Sequence, residues 1–333
     1  MKALIYRQKN TLADFGITLE EVNDPVIRDT DLLIRIKAFG VNPGETFFRR
    51  TIDAPEGAYR ILGYEFSGIV EQVGSAASGF EVGDRILGIG DFTRHGAYAE
   101  LIAADYRSIS KISALVSFQD AAGIPVGTVI AYQSLFRFND NLPPEVKNVL
   151  VLGAAGGVGS MAIQLLKAKT NVTVIATASR QESKDWIKEL GADIIIDHSG
   201  DVIAQLKENG IEQVDFVFST NGLKSAESWL PQVIKPYGYL AAIEGVEVNL
   251  WQFMNKSITV YLEMVFAKSL FGVKQETQGD IIKEFIDLLL AMKVKSPVKH
   301  IIKGLSIDSI FEAHKLLEQG STIGKIVIDL QEE

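Results

Sequence analysis

Over the first 124 residues, apolar and polar positions alternate in short runs broken by glycine: Lys2-Ala-Leu-Ile-Tyr6, Leu32-Leu-Ile-Arg-Ile-Lys37, Gly68-Ile-Val-Glu-Gln-Val73, Arg85-Ile-Leu-Gly88 and Ala97-Tyr-Ala-Glu-Leu-Ile102. A period of two with glycine-rich turns predicts a β-rich, barrel-like domain. From about residue 148 the rhythm changes. Asn148-Val-Leu-Val-Leu152 is a continuous apolar run, followed by a glycine turn and a helical pattern from Gly157 to Lys169. Lys167 and Lys169 fall in its last turn, where the helix dipole favours cations. Strands are then predicted at Val172–Thr177, Ile194–Ile196, Val214–Phe218 and Tyr239–Ile243. Helices are expected at Glu182–Leu190, closed by Gly191, and around 201–209 and 223–234. This alternation predicts an α/β fold with a doubly wound, parallel Rossmann sheet. Between Asp280 and Met292, the residues Ile281, Ile282, Phe285, Leu288, Leu289 and Met292 share one helical face and read as packing. After Pro297 a strand, a helix and a strand ending in Ile323–Ile328 are expected to rejoin the first domain.

The 333 residues suit two domains. We place the first at 1–124, completed by 297–333, and the second at 125–296. A net charge of -9 would repel a phosphate backbone or an anionic membrane, so neither nucleic acid nor membrane is expected as a partner. No apolar run reaches 18 residues, and Met1 leads straight into a strand without a signal-peptide core. A cytoplasmic location is the expectation. The chain has no cysteine and four histidines, which excludes disulfides and thiolate-held zinc and predicts no metal site.

Gly153-Ala-Ala-Gly156-Gly157-Val-Gly159 follows a strand and opens a helix. Glycines there permit a tight turn and close approach to a pyrophosphate, whose charge the amides at the helix N-terminus receive. Gly153, Ala155, Gly156, Gly157 and Val158 are therefore candidate dinucleotide contacts. An NAD site normally places Asp or Glu at the end of the next strand, to accept from the ribose 2′-OH. Here the residues are Thr177-Ala-Ser179-Arg180. Arg180 can pair with a 2′-phosphate, Ser179 can donate to it, and Lys184 lies one turn further on, so NADP(H) is the expected cofactor.

With Gly40-Val-Asn-Pro43, Gly63-Tyr-Glu-Phe-Ser-Gly-Ile-Val70, Phe80-Glu-Val-Gly-Asp-Arg85, Gly96-Ala-Tyr-Ala-Glu100, Leu190-Gly-Ala-Asp193 and Gly324-Lys-Ile-Val327, the chain resembles the zinc-free quinone oxidoreductases (zeta-crystallin-like) of the medium-chain dehydrogenase/reductase superfamily over essentially its full length. Ala178-Ser-Arg180, Asp197-His198, Lys256-Ser-Ile-Thr259 and Ala313-His-Lys-Leu-Leu-Glu318 look like the subgroup often labelled zinc-type alcohol dehydrogenase-like. The resemblance implies a GroES-like first domain, a homodimer paired through the edge of the Rossmann sheet, and a nicotinamide near Thr128. It implies too that His198 flanks the adenosine phosphate and that Ser219 to Asn221 line the cofactor site. Zinc-dependent relatives carry Cys near Asn42 and His near Tyr64, and both are absent here. Family members often have Tyr where this chain has Phe47.

Hydride addition to a quinone, enone or enal leaves charge on oxygen that a hydrogen-bond donor must meet. Asn42, through its amide, and Tyr64, through its phenol, are the candidate catalytic donors. The function expected is NADPH-dependent, zinc-independent reduction of quinones or similar small electrophiles. Reduction of α,β-unsaturated carbonyls or enoyl thioesters is an alternative, with Arg49 and Arg50 the one pair in the first domain that might meet an acyl-CoA. An NADPH-binding protein with little turnover is the alternative of another class. His95 reads as a surface residue, His314 as packing, and His300 offers nothing specific. Tyr261–Phe266 is an apolar stretch suited to an exposed sheet edge.

Overall fold

Residues 1–331 are described by a computed structural model, in which the chain separates into two units. The second unit comprises Gly127–Val265 with Met292–Lys295. Its sheet has six parallel strands, in the order Ile194–Ile196, Thr173–Thr177, Asn148–Leu152, Val214–Ser219, Ile234–Ala242, Thr259–Leu262. Val149, Leu150 and Val151 in the centre are fully buried, as a strand covered on both faces demands. Asp215 anchors the start of that strand by accepting from the amides of Lys147 and Asn148, both at 2.7 Å. The helix Gly157–Lys169 follows the glycine turn, and Trp186 of the helix Gln181–Glu189 donates to Ser160 at 2.9 Å, tying these two helices together. The single helix expected at 223–234 is instead two short ones, Leu223–Ala226 and Leu230–Val233. Pro231 explains the break, because it has no amide to donate and its ring clashes with the carbonyl four residues earlier.

The first unit comprises Met1–Val126, Phe266–Ala291 and Ser296–Glu333, of which the last two residues are outside the description. Its larger sheet runs Val298–Lys303, Lys325–Asp329, Asp31–Val41, Glu65–Val73, Arg85–Ile89, Ile109–Lys111, with Leu101–Asp105 also paired to Asp31–Val41. The C-terminal strand lies antiparallel to Asp31–Val41 with Ile328 opposite Phe39. A smaller sheet sets Lys2–Tyr6 between Thr18–Glu21 and Arg60–Ile61. Residues 266–291, expected within the dinucleotide domain, group with the first unit instead. The reason lies in the helix Glu276–Leu290, where Ile281, Ile282, Phe285 and Ile286 are buried and Gln278 accepts from Ser108 at 3.0 Å. Met292, assigned to the same apolar stripe, lies beyond the helix and is 91% exposed. Among the described residues no helix is long and apolar enough to cross a membrane.

Candidate functional site

In the second unit the sequence-predicted cofactor residues converge on the glycine turn. Gly153 has φ +67°, and a Cβ there would stand 2.6 Å from Thr220 Oγ1 and 2.9 Å from the Asn221 amide. A Cβ on Gly159 would stand 2.5 Å from the Gly153 carbonyl oxygen, so the helix can leave the turn this tightly only without a side chain. Gly156 is the N-cap and offers no side chain, which leaves the first-turn amides for an external anion. Ala155, Gly156, Gly157 and Val158 are all partly exposed. Asn221 is exposed beside Gly153. Gly127 lies against Gly157, with its Cβ position 3.5 Å from the Gly157 carbonyl oxygen, and this contact sets Thr128 next to the turn. Thr128 is fully buried, and its hydroxyl has no partner among the described residues.

At the end of the next strand, Ser179 is half-buried and Arg180, the N-cap of helix Gln181–Glu189, is exposed. Thr177 pairs in register with Ile196, so Ala178 and Asp197 stand side by side where the two strands end. Lys184 does not reach out from its helix: its ammonium donates to Asp197 Oδ2 at 2.7 Å. That hydrogen bond, with those from Ser199, holds the Asp197 carboxyl well below its ordinary pKa. His198 is exposed next to it. The uncapped helix, the glycines that a Cβ would clash with, and the orphaned Thr128 hydroxyl fit a dinucleotide.

In the first unit, Asn42 and Tyr64 stand in different chemical settings. Asn42 is the N-cap of helix Pro43–Thr51, and the Glu45 carboxylate turns back to accept from its amide at 2.6 Å. The Asn42 side chain donates to Glu65 Oε1 at 2.9 Å and to Glu45 Oε1 at 3.3 Å, and accepts from the ammonium of Lys325. Lys325 also pairs with Glu65, whose other oxygen accepts from the Val126 amide at 3.0 Å. Glu45, Glu65 and Lys325 are all buried. The Asn42 amide nitrogen thus has both Glu65 and Glu45 as acceptors within the chain. Burial, together with the Glu65 charge, raises the Glu45 pKa to about 7 against the pull of Lys325.

Tyr64 is different. Its ring is 3% exposed, packed edge-on against Phe48 and Phe266 with centroids at 6.0 and 5.3 Å, and Phe92 stacks on Phe48 at 6.0 Å. Among the described residues the Tyr64 hydroxyl has no hydrogen-bond partner, and it is not sealed from solvent. Burial raises its pKa, so the phenol stays protonated and able to donate.

Arg49 is fully buried and cannot serve an acyl-CoA. It donates to the Asn10 carbonyl at 2.8 Å, to His314 Nδ1 at 3.1 Å and to Glu318. Arg50 donates to the Thr46 carbonyl oxygen and lies 3.9 Å from Glu318. A guanidinium only donates, so His314 carries its proton on Nε2, which faces Tyr98 at 3.2 Å. His314 therefore has polar partners that packing alone did not predict. His95 is exposed and stacks on Tyr59 at 4.8 Å, and His300 is half-buried in the strand Val298–Lys303.

These residues do not fit zinc. Where two carboxylates approach each other, at Glu45 and Glu65, the Lys325 ammonium already supplies the cation, and among the described residues no three His, Asp or Glu side chains gather as a metal would require.

Two family descriptions match the chain: "Alcohol dehydrogenase GroES-like domain" over residues 28–114 and "Zinc-binding dehydrogenase" over residues 157–289. The chain is 32% identical to a zinc-type alcohol dehydrogenase-like protein of Staphylococcus aureus strain Mu50, over 93% of this chain and 94% of that one. Among solved structures, a Rhizobium etli CFN 42 protein assigned to the zinc-dependent alcohol dehydrogenases superposes with a TM-score of 0.95 at 29% identity, covering 100% and 99% of the two chains. The quinone oxidoreductase of Coxiella burnetii superposes with a TM-score of 0.82 at 27% identity, covering 99% of each. The fold is α/β, with a GroES-like first unit and a Rossmann-like parallel sheet in the second. The chain belongs to the medium-chain dehydrogenase/reductase superfamily, in its quinone oxidoreductase-like branch.

Proposed function

We propose that this chain is an NADPH-dependent, zinc-independent oxidoreductase that reduces quinones. The observation that carries the reading is an uncapped, glycine-built helix N-terminus followed, at the end of the next strand, by Ser179 and Arg180 in place of a carboxylate. NADPH supplies the hydride, and quinone plus NADPH plus one proton gives hydroquinone plus NADP+.

The Gly153–Gly159 turn receives the pyrophosphate, Ser179 and Arg180 receive the 2′-phosphate, and Thr128 and Asn221 flank the turn. His198 borders the adenosine end. Tyr64 donates its phenolic hydrogen bond to the substrate oxygen as charge develops there, and the proton itself comes from water. Asn42 acts on the arrangement of its neighbours rather than on the substrate. The rings of Phe48, Phe92 and Phe266 around Tyr64 favour a flat, conjugated acceptor, which supports quinones over aliphatic enals. The burial of Arg49 counts against a thioester carrying coenzyme A. We propose further that two copies pair through the open edge strand Thr259–Leu262, where Leu262 is 66% exposed and Met264 43% exposed.

The test follows NADPH absorbance in metal-free buffer with benzoquinone, naphthoquinone, enone and enal acceptors, with NADH and an Arg180→Ala variant alongside. Oxidation faster with NADPH, insensitive to chelator and weakened in Arg180→Ala is the expected outcome. NADPH binding without oxidation by any acceptor would replace the enzyme reading with a binding role, and loss of turnover on chelation would overturn zinc independence.

A further inference from the structure

Three groups at the ends of two neighbouring strands bear on which dinucleotide is preferred, and one of them has no place in the reading above. Ser179 and Arg180 follow Ala178, and Asp197 follows Ile196, with Thr177 and Ile196 in register and the Ala178 amide donating to the Ile196 carbonyl oxygen at 3.0 Å. Asp197 is clamped from several sides. Its Oδ1 accepts from the Ser199 amide at 3.0 Å and from the Ser199 hydroxyl at 2.6 Å, and its own amide donates to Gln205 Oε1 at 2.8 Å. Its Oδ2 accepts from Lys184 at 2.7 Å. The ion pair is partly exposed, with side chains at 30% and 29%, and it lines a cavity of about 300 Å³ with Gln181 and Gln205, so solutes reach it.

A 2′-phosphate brings about two negative charges to this end of the sheet. A lysine one turn into the helix after Arg180 would be the obvious second cation, but its ammonium faces a fixed carboxylate instead. We infer that Asp197 sets the coenzyme preference of this chain: by holding Lys184 it withholds one cation from the 2′-phosphate and places a negative charge beside it, so NADPH is favoured over NADH only moderately. The inference rests on the dinucleotide reading above.

Titration calorimetry of the full chain with 2′,5′-ADP and with ADP isolates the 2′-phosphate without any turnover. Asp197→Asn keeps an oxygen for Ser199 and removes the charge. It should tighten 2′,5′-ADP by about threefold to tenfold at low salt and leave ADP unchanged, with a smaller gain at physiological ionic strength. Lys184→Met alone should change the ratio of the two affinities little, but combined with Asp197→Asn it should erase the gain. Asp185→Asn, which removes an equal charge from a group that accepts from Gln181, should move the ratio less than Asp197→Asn. An unchanged or lower ratio in Asp197→Asn, or a loss of 2′,5′-ADP preference in Lys184→Met alone, would overturn the inference while leaving the dinucleotide site intact. Failure of the unaltered chain to bind either nucleotide would remove the dinucleotide reading itself, and this inference with it.

Discussion

Asn42 owes its orientation to neighbours that can each do only one thing. An ammonium can only donate and an ionised carboxylate can only accept, so Lys325 fixes the Asn42 oxygen and Glu65 fixes its nitrogen. Tyr64 has no such obligations among the described residues, and its hydroxyl is the donor that the proposed mechanism turns to the substrate. Tyr64→Phe should keep nucleotide binding and lower kcat about tenfold to a hundredfold in the quinone assay. An unchanged kcat would move the donor elsewhere. Asn42 and Tyr64 were both legible as candidates in the sequence, through the family resemblance of the segments that hold them. The three charged residues that govern Asn42 were not legible. Lys325 and Glu65 lie 260 positions apart, and nothing in the alternation around either says that it is buried or which partner it meets. Asp197 was hidden for a similar reason, since a surface carboxylate in a loop differs from one clamped onto Lys184 only through the register of two strands.

At the scale of elements, Asn148–Leu152 and Gly157–Lys169 occur as read, whereas the strand expected at Tyr239–Ile243 starts earlier, at Ile234. Buried parallel strands are continuous apolar runs, and the turns between them need glycine, so local sequence carries most of the information. It carried less where one signal competed with another. Pro231 breaks a helix that apolar spacing alone would continue, and the stripe ending in Met292 runs past the residues that find a neighbour. The glycine turn is the element on which the proposed nucleotide site depends. Gly159→Ala puts a methyl group 2.5 Å from a carbonyl oxygen, forcing the helix start away from the turn. Binding of NADPH, followed by its fluorescence, should weaken more than tenfold while circular dichroism keeps its helical signal. Retention of full affinity would show that the turn does not hold the pyrophosphate.

For the whole molecule, two buried groups pull the pH dependence of stability in opposite directions. Burial, helped by Arg49, depresses the His314 pKa to about 3. The unfolded chain takes up that proton first, near pH 6.5, so stability falls as pH drops from about 6.5 toward 3, by about 1.4 kcal/mol per unit. Glu45 has the opposite sign. Its folded value of about 7 lies above the unfolded one near 4.3, so its contribution is present at low pH and lost as pH rises through 7. In urea unfolding, Glu45→Gln should gain stability over the unaltered chain at pH 8 and lose that gain at pH 4. An equal shift at both pH values would mean that folding does not raise the Glu45 pKa. Assembly is tested on the same scale: Leu262→Lys should convert a dimer to a monomer in sedimentation equilibrium, and a monomeric unaltered chain would remove the proposed edge pairing.

The division of the chain also sets an order in time. Residues 127–265 of the second unit leave the ribosome in one stretch, whereas the first unit waits for a strand at 325–329 that is synthesised after them. Until then Asp31–Val41 lacks one of its neighbours, and Glu65 lacks its counter-charge in a site built to exclude water. The first unit therefore starts before the second in chain order and is completed after it. A nascent chain carries Asp31–Val41 without its partner at Lys325–Asp329 until that strand emerges, and a stop before Lys325 yields a product that lacks this strand pair and the Lys325–Glu65 ion pair.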